Sequence, residues 1–566
     1  MLEFIVPKNI IWLFLFVVVM VFIGCAAVTE NPTTSTSSST SSTTATVTVT
    51  TATVSSTSTT TTTATTSTTS GTEAETYDLG SYTVQDLWVD ALSGSASDSN
   101  SGTLESLPVR TFQGAWGKLP QSTTLESTGY RINIKPGTYD LSSFWPQNVW
   151  GTASCPIIIQ ATNADAVTIN GLNIKNCRYV YVINTKFHGN CSSGDGFHFE
   201  SCDHVLIRNC EIDQQGDPVS GPIISEALKA NQCQYFYVED SNIHHANNVA
   251  LDFVAVQYGH ITRNTIHHSH DWCAYLKGGS GYFIVANNEF YNSYNNGGFS
   301  AGEGNGLSYM TEPWTQYGAY GIKAYNNVIH DTAGAGLGVW GGYDIILAHN
   351  TLYRVGSRSH AIEVEYGGRE VGESPARSTA LLANGAWGYG PIGGDCYYIP
   401  NKNVLIFNNL IYNPSSGADE YHTLWKQFNT HDQLDSARVG FQVPVPVICD
   451  DGLVVKGNLI YNHPTNGEAL GIGDSGQHEA RISAATVEAQ NWINRIEPQL
   501  NNPTSDDFSL PAGSNVLTAE SFTIPAFTWT DAPSLNDHQT PPAPDASFLD
   551  NTQIRNKNGR TNPGAY

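Results

Sequence analysis

The chain has 566 residues, of which 14% are charged and 40% hydrophobic, with 52 Gly, 27 Tyr and 3 Met. This balance favours turns and β-structure over helices, which are rich in Ala, Glu, Lys and Leu. There are 26 Lys and Arg against 51 Asp and Glu, a formal net charge of −25. Nucleic acids and anionic lipid surfaces bind dense basic faces, so the composition excludes them as main partners.

Residues 1–25 have the form of an export signal. Lys8 precedes an unbroken apolar run from Ile10 to Ile23, which ends at Gly24 and Cys25. The run is short for a membrane span and ends at a small residue, as a cleaved signal does. Because Phe22-Ile23-Gly24-Cys25 resembles the signal of bacterial lipoproteins, we expect lipidation of Cys25 and a lipid-anchored protein at the cell surface or in the periplasm. An ordinary secretory signal or an uncleaved anchor is the alternative.

Residues 26–76 are predicted to be a disordered linker. Positions 33–70 hold 32 Ser or Thr among 38 residues, and none is charged. Such a stretch cannot bury enough apolar surface to offset its chain entropy. Beyond it, the cysteines other than Cys25 are nine in number and form no CxxC pair. Buried thiols are therefore expected, rather than a zinc site or a full disulfide framework.

A repeat organises the rest of the chain. Nine ungapped segments of eleven residues each combine a short strand with an apolar anchor at the end, and the anchors are as little as 23 residues apart. The anchors are Phe187, Ile212, Ile243, Ile266, Phe290, Ile329, Leu352, Ile411 and Ile460. Alternating strands at this period, with no helical pattern between them, predict a solenoid of stacked parallel strands.

Two further positions of the repeat carry structural side chains. The place two before the anchor holds Asn264, Asn288, Asn327, Asn350, Asn409 and Asn458. Asn tolerates left-handed geometry and its amide can bond the next coil, so we expect a stacked Asn ladder at a tight turn. The place after the anchor holds His or Tyr in most repeats, which favours a stacked ring column over catalysis.

Several motifs resemble bacterial right-handed parallel β-helix proteins of the pectate-lyase-like superfamily. They are WVDALSGSASDSNSG from Trp88, INIKPGTYD from Ile132, the block from Asn326 to His360 and NKNGRTNPGAY from Asn556. The resemblance implies an all-β, single-stranded right-handed β-helix that acts on or binds polysaccharides. We place the β-helix at residues 77–470, with a helical cap in FQGAWGKL from Phe112 and an irregular segment, 471–566, packed on it.

A second set of short strands follows the anchors and carries outward side chains. These strands are predicted at 196–199, 250–253, 274–277, 299–303, 337–340 and 362–365. Alternation places Asp252, Lys277, Ser300, Trp340 and Glu363 on the outer face, where they form a strip about 20 Å long that suits a linear polymer. Long insertions after Phe290, Leu352 and Ile411 are expected to form its rims.

Four Arg between 354 and 377 are a local basic concentration, as a uronate or sulfated glycan requires; pairing with loop carboxylates is the alternative. The predicted substrate-binding residues are Tyr275, Glu303, Trp314, Trp340, Arg354, Arg358 and Arg369. The substrate is accordingly expected to be an anionic polysaccharide, and the protein a monomer.

The chemistry expected first is β-elimination by a polysaccharide lyase. The predicted fold resembles that of chondroitinase B-like and alginate lyases, which also place a Lys in a comparable strand before a turn. This resemblance implies that Lys277 is the base. The uronate carboxylate must be neutralised, and Asp252 with Glu226 is the predicted Ca²⁺ site.

The alternative enzyme is a glycoside hydrolase, which needs paired carboxyl groups. The best pair is Glu363 with Glu303 or Asp252, and His270, beside Asp271, is a further acid/base candidate. A non-catalytic glycan-binding or adhesion protein is the third possibility, because β-helices also serve as spikes.

Overall fold

Each repeat of the sequence folds into one coil whose three short strands lie on three sides of an apolar core. The computed structural model describes residues 60–62, 75–189, 194–358, 360–388, 397–415, 426–429, 439–444, 447, 450–466, 482–527, 529 and 541–566. All of them lie in the compact unit Ser58–Tyr566. The predicted signal, including Cys25, lies outside these residues. Among the described helices, none has the length and apolarity needed to cross a bilayer.

Three parallel sheets form the sides of the solenoid, and each strand pairs with its counterpart one coil further on. Sheet 1 also holds one antiparallel strand, Thr60–Thr62, from the predicted linker. The other strands of sheet 1 are Tyr82–Val89, Gly129–Ile134, Ile157–Ala161, Arg178–Ile183, Asp203–Arg208, Gln234–Glu239, Gln257–Thr262, Ser280–Ala286, Ala319–Tyr325, Gly342–Ala348, Lys402–Phe407 and Val454–Lys456.

Sheet 2 and sheet 3 complete each coil. The strands of sheet 2 are Leu172–Lys175, Phe197–Glu200, Leu228–Asn231, Leu251–Val254, Ala274–Lys277, Phe299–Gly302, Leu337–Trp340, His360–Glu365 and Lys426–Asn429. Those of sheet 3 are Gly137–Asp140, Val167–Asn170, Lys186–His188, Glu211–Asp213, Asn242–Ala246, Thr265–Ser269, Glu289–Ser293, Val328–Thr332, Thr351–Val355, Leu410–Asn413, Leu459–Asn462 and Trp492–Ile493. The predicted right-handed parallel β-helix is confirmed.

Helices are short and lie outside the coils. The α-helices are Phe112–Trp116, Pro375–Ala383, Ala484–Gln490 and Ala546–Leu549. The 3₁₀ turns are Ala164–Ala166, Leu307–Tyr309, Pro464–Asn466, Pro503–Ser505 and Asn515–Thr518. The predicted cap is the first helix, in which Thr111 accepts a hydrogen bond from the Gly114 amide while Phe112 and Trp116 pack into the core.

The nine predicted anchors form one buried column in sheet 3. Their side chains are at most 1% exposed. The column is longer than the repeat indicated, because Ile169 pairs with Phe187 at one end and Ile493 pairs with Ile460 at the other. The eleven-residue repeat did not include the coils of Ile169 and Ile493, because the segments that connect them to their neighbours differ in length and sequence.

The asparagine ladder is present and lies between sheets 1 and 3. The amide of Asn288 donates to Oδ1 of Asn327 at 3.0 Å, and that of Asn327 to Oδ1 of Asn350 at 3.0 Å. The ladder continues past the predicted members to Asn491, whose Oδ1 accepts from the Asn458 amide at 2.9 Å. The left-handed conformation belongs to the preceding residue, as at Asn326 with φ 58°, and not to the ladder residue as expected. The turn therefore points the ladder side chain into the interior.

The column after the anchors stacks as predicted. The rings of His244 and His267 lie 4.8 Å apart at 6°, those of His267 and Tyr291 4.6 Å apart at 12°, and those of Tyr291 and His330 4.8 Å apart at 8°. The described cysteines are also as predicted, since all six are free and buried.

The carboxyl-terminal segment packs along the coils. The Phe522 amide donates to Oδ1 of Asn408 at 3.0 Å, and the Ala565 amide donates to Oγ1 of Thr351 at 2.9 Å. Regular structure in this region is limited, because its backbone groups bond individual coils rather than a continuous strand.

Substitution Asn327→Ala tests the ladder. It leaves the Asn288 amide and the Val285 carbonyl without their buried partners, so we expect the free energy of unfolding to fall by about 2–4 kcal/mol. Urea unfolding followed by circular dichroism measures the change, and the exposed Asn558→Ala is the matched control. Equal stability of the two variants would contradict a structural role for the ladder.

Candidate active-site groove

Sheet 2 presents two columns of outward side chains in register. The first contains Asn173, His198, Lys229, Asp252, Tyr275, Ser300, Gly338 and Glu363. The second includes Lys277 and, further along, Gly302, Trp340 and Glu365. Neighbouring strands are about 4.8 Å apart, so the first column extends over about 34 Å. The residues expected on the outer face do lie on one face, and we call this face the groove.

Lys229 lies among three acidic side chains at one end of the groove. Its Nζ lies 3.2 Å from Oδ2 of Asp252, 3.3 Å from Oε2 of Glu226 and 3.9 Å from Oδ2 of Asp195. Burial opposes the charged form, but the three carboxylates outweigh it and raise the pKa of Lys229. A cation with these neighbours remains an ammonium ion near neutral pH.

Lys277 lies two coils further on and shares the carboxylate of Asp252, on the intervening coil, with Lys229. Its Nζ donates a hydrogen bond of 2.8 Å to the Tyr275 hydroxyl, lies 4.1 Å from the centre of that ring and is 3.9 Å from Oδ1 of Asp252. The Asp252 side chain is only 2% exposed. Asp252 therefore lies beneath the groove surface and orients two lysines, rather than facing a substrate directly.

Two glutamates of the groove hold their protons near neutral pH. Burial, with the neighbouring Asp195, raises the pKa of Glu226 to about 7. Burial also raises the pKa of Glu303 to about 7, with smaller contributions from Asp271 and Glu363. Oε2 of Glu303 is buried and has no hydrogen-bond partner among the described residues. A carboxyl group in this state can donate a proton at pH 7.

The Trp272 indole packs over the middle of the first column, at Ser300 and Gly338. A Cβ atom at Gly338 would lie 2.7 Å from the Trp272 ring and 3.0 Å from Oγ of Ser300. Small residues at these two register positions therefore leave room for Trp272, which packs with Tyr275. The Trp272 side chain is only 1% exposed, so the indole is packed over these positions and offers the groove little surface.

The rims come from the first two insertions, as expected. Asn305–Gly306 pairs with Gly367–Glu370, and the latter pairs with Tyr397–Ile399. The first insertion reaches back along the groove, since the Tyr309 carbonyl accepts a hydrogen bond of 3.0 Å from Nε2 of Gln232. Most of the third insertion, after Ile411, lies outside the described residues.

Three predicted substrate-binding residues are not in the groove. Arg369 is 0% exposed and donates to Asn305 and to the Gln316 carbonyl, so it joins the two insertions. Trp314 is 2% exposed in an aromatic cluster outside sheet 1. Arg354 lies on sheet 3 and pairs with Asp331. Arg369 and Trp314 are buried because the insertions fold against one another and against sheet 1. Arg354 belongs to the sheet 3 strand Thr351–Val355 and so faces another side of the solenoid.

The remaining predicted residues divide between the groove and its edge. Tyr275, Glu303, Trp340 and Glu363 lie in the groove, and Nδ1 of His360 is 3.7 Å from Oε1 of Glu363. Arg358 bonds Asn295 at the edge. His270 lies at the corner between sheets 3 and 2, where its Nδ1 contacts the Pro218 carbonyl at 2.8 Å, and the structure does not bring it to Lys277.

The predicted Ca²⁺ site is corrected by the position of Lys229. Asp252 and Glu226 do lie on neighbouring coils, but the Lys229 ammonium lies between them. Within the described part of the chain, the one His, Cys, Asp and Glu group with metal-binding spacing is on sheet 3, at Asp213, His244 and His245. The carboxylates of the groove are thus neutralised by a residue of the chain.

Sequence reasoning missed Lys229 and the cleft beside it. Lys229 lies in LKAN, where Leu228 and Ala230 point inward, but the long segment after Ile212 hides this coil from the period. The cleft, of about 690 Å³, is lined by the 45% exposed Trp145 together with Asn173, Asp195 and His198. It continues the groove toward the amino-terminal coils, and the alternation in LNIK and GFHF was the signal for it.

The fold and its charged outer groove define a right-handed parallel β-helix protein. A family model described as "Right handed beta helix region" matches residues 149–352. This match confirms the predicted right-handed β-helix over those residues. The comparison with curated proteins gave no match.

Solved structures of β-helix proteins are similar at low identity. The A-module of the mannuronan C-5 epimerase AlgE6 from Azotobacter vinelandii is 12% identical, with 62% of this chain and 88% of that chain covered and a TM-score of 0.37. For pectate lyase Pel9A the identity is 12%, the coverage 71% and 90%, and the TM-score 0.36. For a rhamnogalacturonan lyase the values are 12%, 66% and 87%, and 0.37.

The raised pKa of Glu303 predicts a pH effect on stability. Folding raises this pKa to about 7, from about 4.3 in an unfolded chain. The folded state therefore holds the proton more tightly, and Glu303 destabilises the fold increasingly as pH rises through this interval. Substitution Glu303→Gln should stabilise the protein at pH 8 by roughly 1–3 kcal/mol relative to its effect at pH 4.

Thermal unfolding at both pH values measures this difference. The exposed Glu520→Gln is the matched control and should show no such dependence. A Glu303→Gln variant whose stability follows the wild type at every pH would show that this carboxyl group is not held in a protonated state.

Proposed function

We propose that the protein is a carbohydrate-active enzyme that binds a linear glycan along the groove and hydrolyses it with Glu303 and Glu363. The observation that carries the proposal is the environment of Glu303, a groove carboxyl group with a pKa of about 7 and a buried Oε2 that lacks a partner. A raised carboxyl pKa of this kind is typical of general acids in glycoside hydrolysis.

The second carboxyl group is that of Glu363, whose charge contributes to the raised pKa of Glu303. Glu363 lies on the strand two beyond that of Gly302, which precedes Glu303. The two backbones are more than two strand spacings, about 10 Å, apart, because Glu303 also lies three residues beyond Ser300, which shares the column of Glu363. Long side chains that point toward each other would bring the carboxyl groups to the 6.5–9.5 Å of inverting enzymes rather than to the 5–5.5 Å of retaining ones. Asp252 and Glu363 are four strands apart, about 19 Å, so that predicted pair is too widely spaced to flank one bond.

In the proposed reaction, Glu303 protonates the glycosidic oxygen as the bond from that oxygen to the anomeric carbon breaks. Glu363 takes a proton from a water molecule, whose oxygen attacks the anomeric carbon from the opposite side. Lys277 is placed to hydrogen-bond sugar hydroxyls, and Asp252 keeps it in position. The exposed faces of Trp340 and Trp145 supply apolar surface for sugar rings.

The charge of the groove favours a neutral or weakly charged glycan. Asp195, Glu226, Asp252, Asp271, Glu303 and Glu363 lie in or beside it, against Lys229, Lys277 and Arg358. The cations near Asp252 are already paired, and the predicted arginine patch is dispersed. With Glu226 and Glu303 largely protonated near pH 7, these groups leave the groove without excess positive charge. A polyanion would therefore gain little attraction here, contrary to the anionic substrate expected from the sequence.

β-Elimination is the second candidate, and the Lys277–Tyr275 contact favours it. The Tyr275 hydroxyl and the Lys277 amine are 2.8 Å apart, a suitable spacing for a proton-transfer pair. In that reaction Lys229 would neutralise the uronate in place of Ca²⁺. The Lys277 amine is already engaged by Tyr275 and Asp252, however, whereas Oε2 of Glu303 is buried without a partner among the described residues, so hydrolysis is supported better.

Variants of the two glutamates distinguish the reactions. With a panel of neutral, uronic-acid and sulfated glycans, we expect new reducing ends and no ultraviolet absorbance of unsaturated products. Glu303→Gln and Glu363→Gln should each lower turnover about 10²- to 10⁴-fold, whereas Glu365→Gln on the same strand is the matched control. The wild-type rate should fall above pH 7, as Glu303 loses its proton.

The other outcomes select the alternatives. Unsaturated products with a dependence on Lys277, and with full activity in Glu363→Gln, would replace hydrolysis by β-elimination. Retention of a glycan without any product would indicate a non-catalytic binding protein.

We further propose that the protein is exported as a monomer and tethered through a lipid on Cys25. The apolar run before Cys25 and the Ser/Thr-rich stretch after it support this proposal. In a bacterial host, the wild type should partition with membranes, and mass spectrometry should find a lipidated Cys25 as the mature amino terminus. Cys25→Ser should remove both properties, and an unmodified amino terminus elsewhere in the wild type would contradict the anchor.

A further inference from the structure

A second cluster of titratable side chains lies on sheet 3, outside the groove. It spans two neighbouring coils, because Asp213 pairs in register with His244. Oδ1 of Asp213 is 3.5 Å from Nδ1 of His244 and 3.4 Å from Nδ1 of His245, and the two nitrogens are 2.6 Å apart. One carboxylate oxygen and two ring nitrogens thus converge on one point.

The fold itself brings the two imidazoles together. Adjacent residues of a strand normally point to opposite faces. His245 has a φ of 55°, which interrupts the alternation and lets its ring meet that of His244. The same left-handed position recurs at His268, Asn292 and Asp331 on later coils. The His244 coil is distinguished by the carboxylate of Asp213 on the preceding coil.

The next pair of imidazoles shows that two rings can approach at this position through a hydrogen bond alone. Nδ1 of His267 and Nδ1 of His268 are also close, at 2.5 Å. Nε2 of His267 faces the Asn242 oxygen, and Nε2 of His268 faces the Asn292 amide nitrogen. These partners make Nε2 of His267 a donor and Nε2 of His268 an acceptor, so His268 donates from Nδ1 to His267.

The first pair is different, because a third ligand atom joins it. Nε2 of His244 faces Oε1 of Glu211 at 3.7 Å, which favours a proton on Nε2 and leaves the Nδ1 lone pair directed at the cluster. Oδ1 of Asp213 also lies within 3.5 Å of both Nδ1 atoms. An outer carboxylate on the far nitrogen of a metal-ligating histidine is a common arrangement that fixes the ring and its tautomer.

We propose that Asp213, His244 and His245 form a site for a divalent transition-metal ion such as Zn²⁺. Imidazole nitrogens with one carboxylate suit Zn²⁺, Ni²⁺ or Cu²⁺, whereas Ca²⁺ prefers an all-oxygen shell. Tetrahedral Zn²⁺ would hold the two nitrogens about 3.3 Å apart, and the 41% exposed His245 ring is free to make this adjustment. The ion would join two coils on a side of the solenoid remote from the proposed chemistry, so the site goes beyond the proposed function.

Calorimetric titration of the untagged full chain with ZnCl₂, after treatment with a chelator, tests the site. We expect one Zn²⁺ per chain, unaffected by excess Ca²⁺, and a melting temperature that rises with Zn²⁺. His245→Asn should weaken binding at least 10-fold, and Asn suits the left-handed backbone at this position, so the fold should persist. Asp213→Asn should act similarly.

The matched control is His204→Asn, which removes a histidine paired with Asp203 at a place where the described residues supply no third metal ligand. It should bind Zn²⁺ as the wild type does. The proposal is overturned if the wild type binds no Zn²⁺, if Ca²⁺ displaces it, or if His245→Asn and Asp213→Asn retain wild-type affinity. Visible absorption of the Co²⁺ form gives a second readout, since loss of a nitrogen ligand in His245→Asn should change its spectrum.

Discussion

Coil-on-coil stacking is the constraint on which every surface of this protein depends. The main-chain bonds of three parallel sheets set the spacing, and the buried asparagine ladder fixes the turn between sheets 1 and 3. Each ladder amide has partners on both neighbouring coils, so one coil cannot rotate without leaving buried polar groups unpaired. A side chain that points outward on one coil is therefore held directly above its counterpart on the next.

This register turns short sequence motifs into sites. Lys229, Asp252 and Tyr275 are more than twenty residues apart in the chain, yet they lie on three successive strands of sheet 2. On sheet 3, the same register places Asp213 beside the two imidazoles of the next coil. In both places, the side chains that would bind a substrate or a metal ion come from separate coils. A register slip of one residue in a strand would turn these side chains into the core.

The groove also shows why charge balance within a site matters more than the charge of the chain. Carboxyl groups outnumber cations in the groove. Burial raises the pKa of two of them, Glu226 and Glu303, to about 7. The two lysines share Asp252 and are held as a fixed group. The arginines on which an anionic substrate was predicted are used elsewhere, in a buried contact between insertions and in a surface ion pair on sheet 3.

Local sequence patterns were enough to predict the solenoid, the anchor column, the Asn ladder and the outward direction of Lys277, Tyr275 and Glu363. Each of these follows from a local period, and parallel stacking preserves the period in space. The position of Lys229 between Asp252 and Glu226, and the burial of Arg369 and Trp314, became visible in the folded chain and not before. Those outcomes depend on insertions of irregular length, whose path is set by contacts with distant coils, and no local pattern records such contacts.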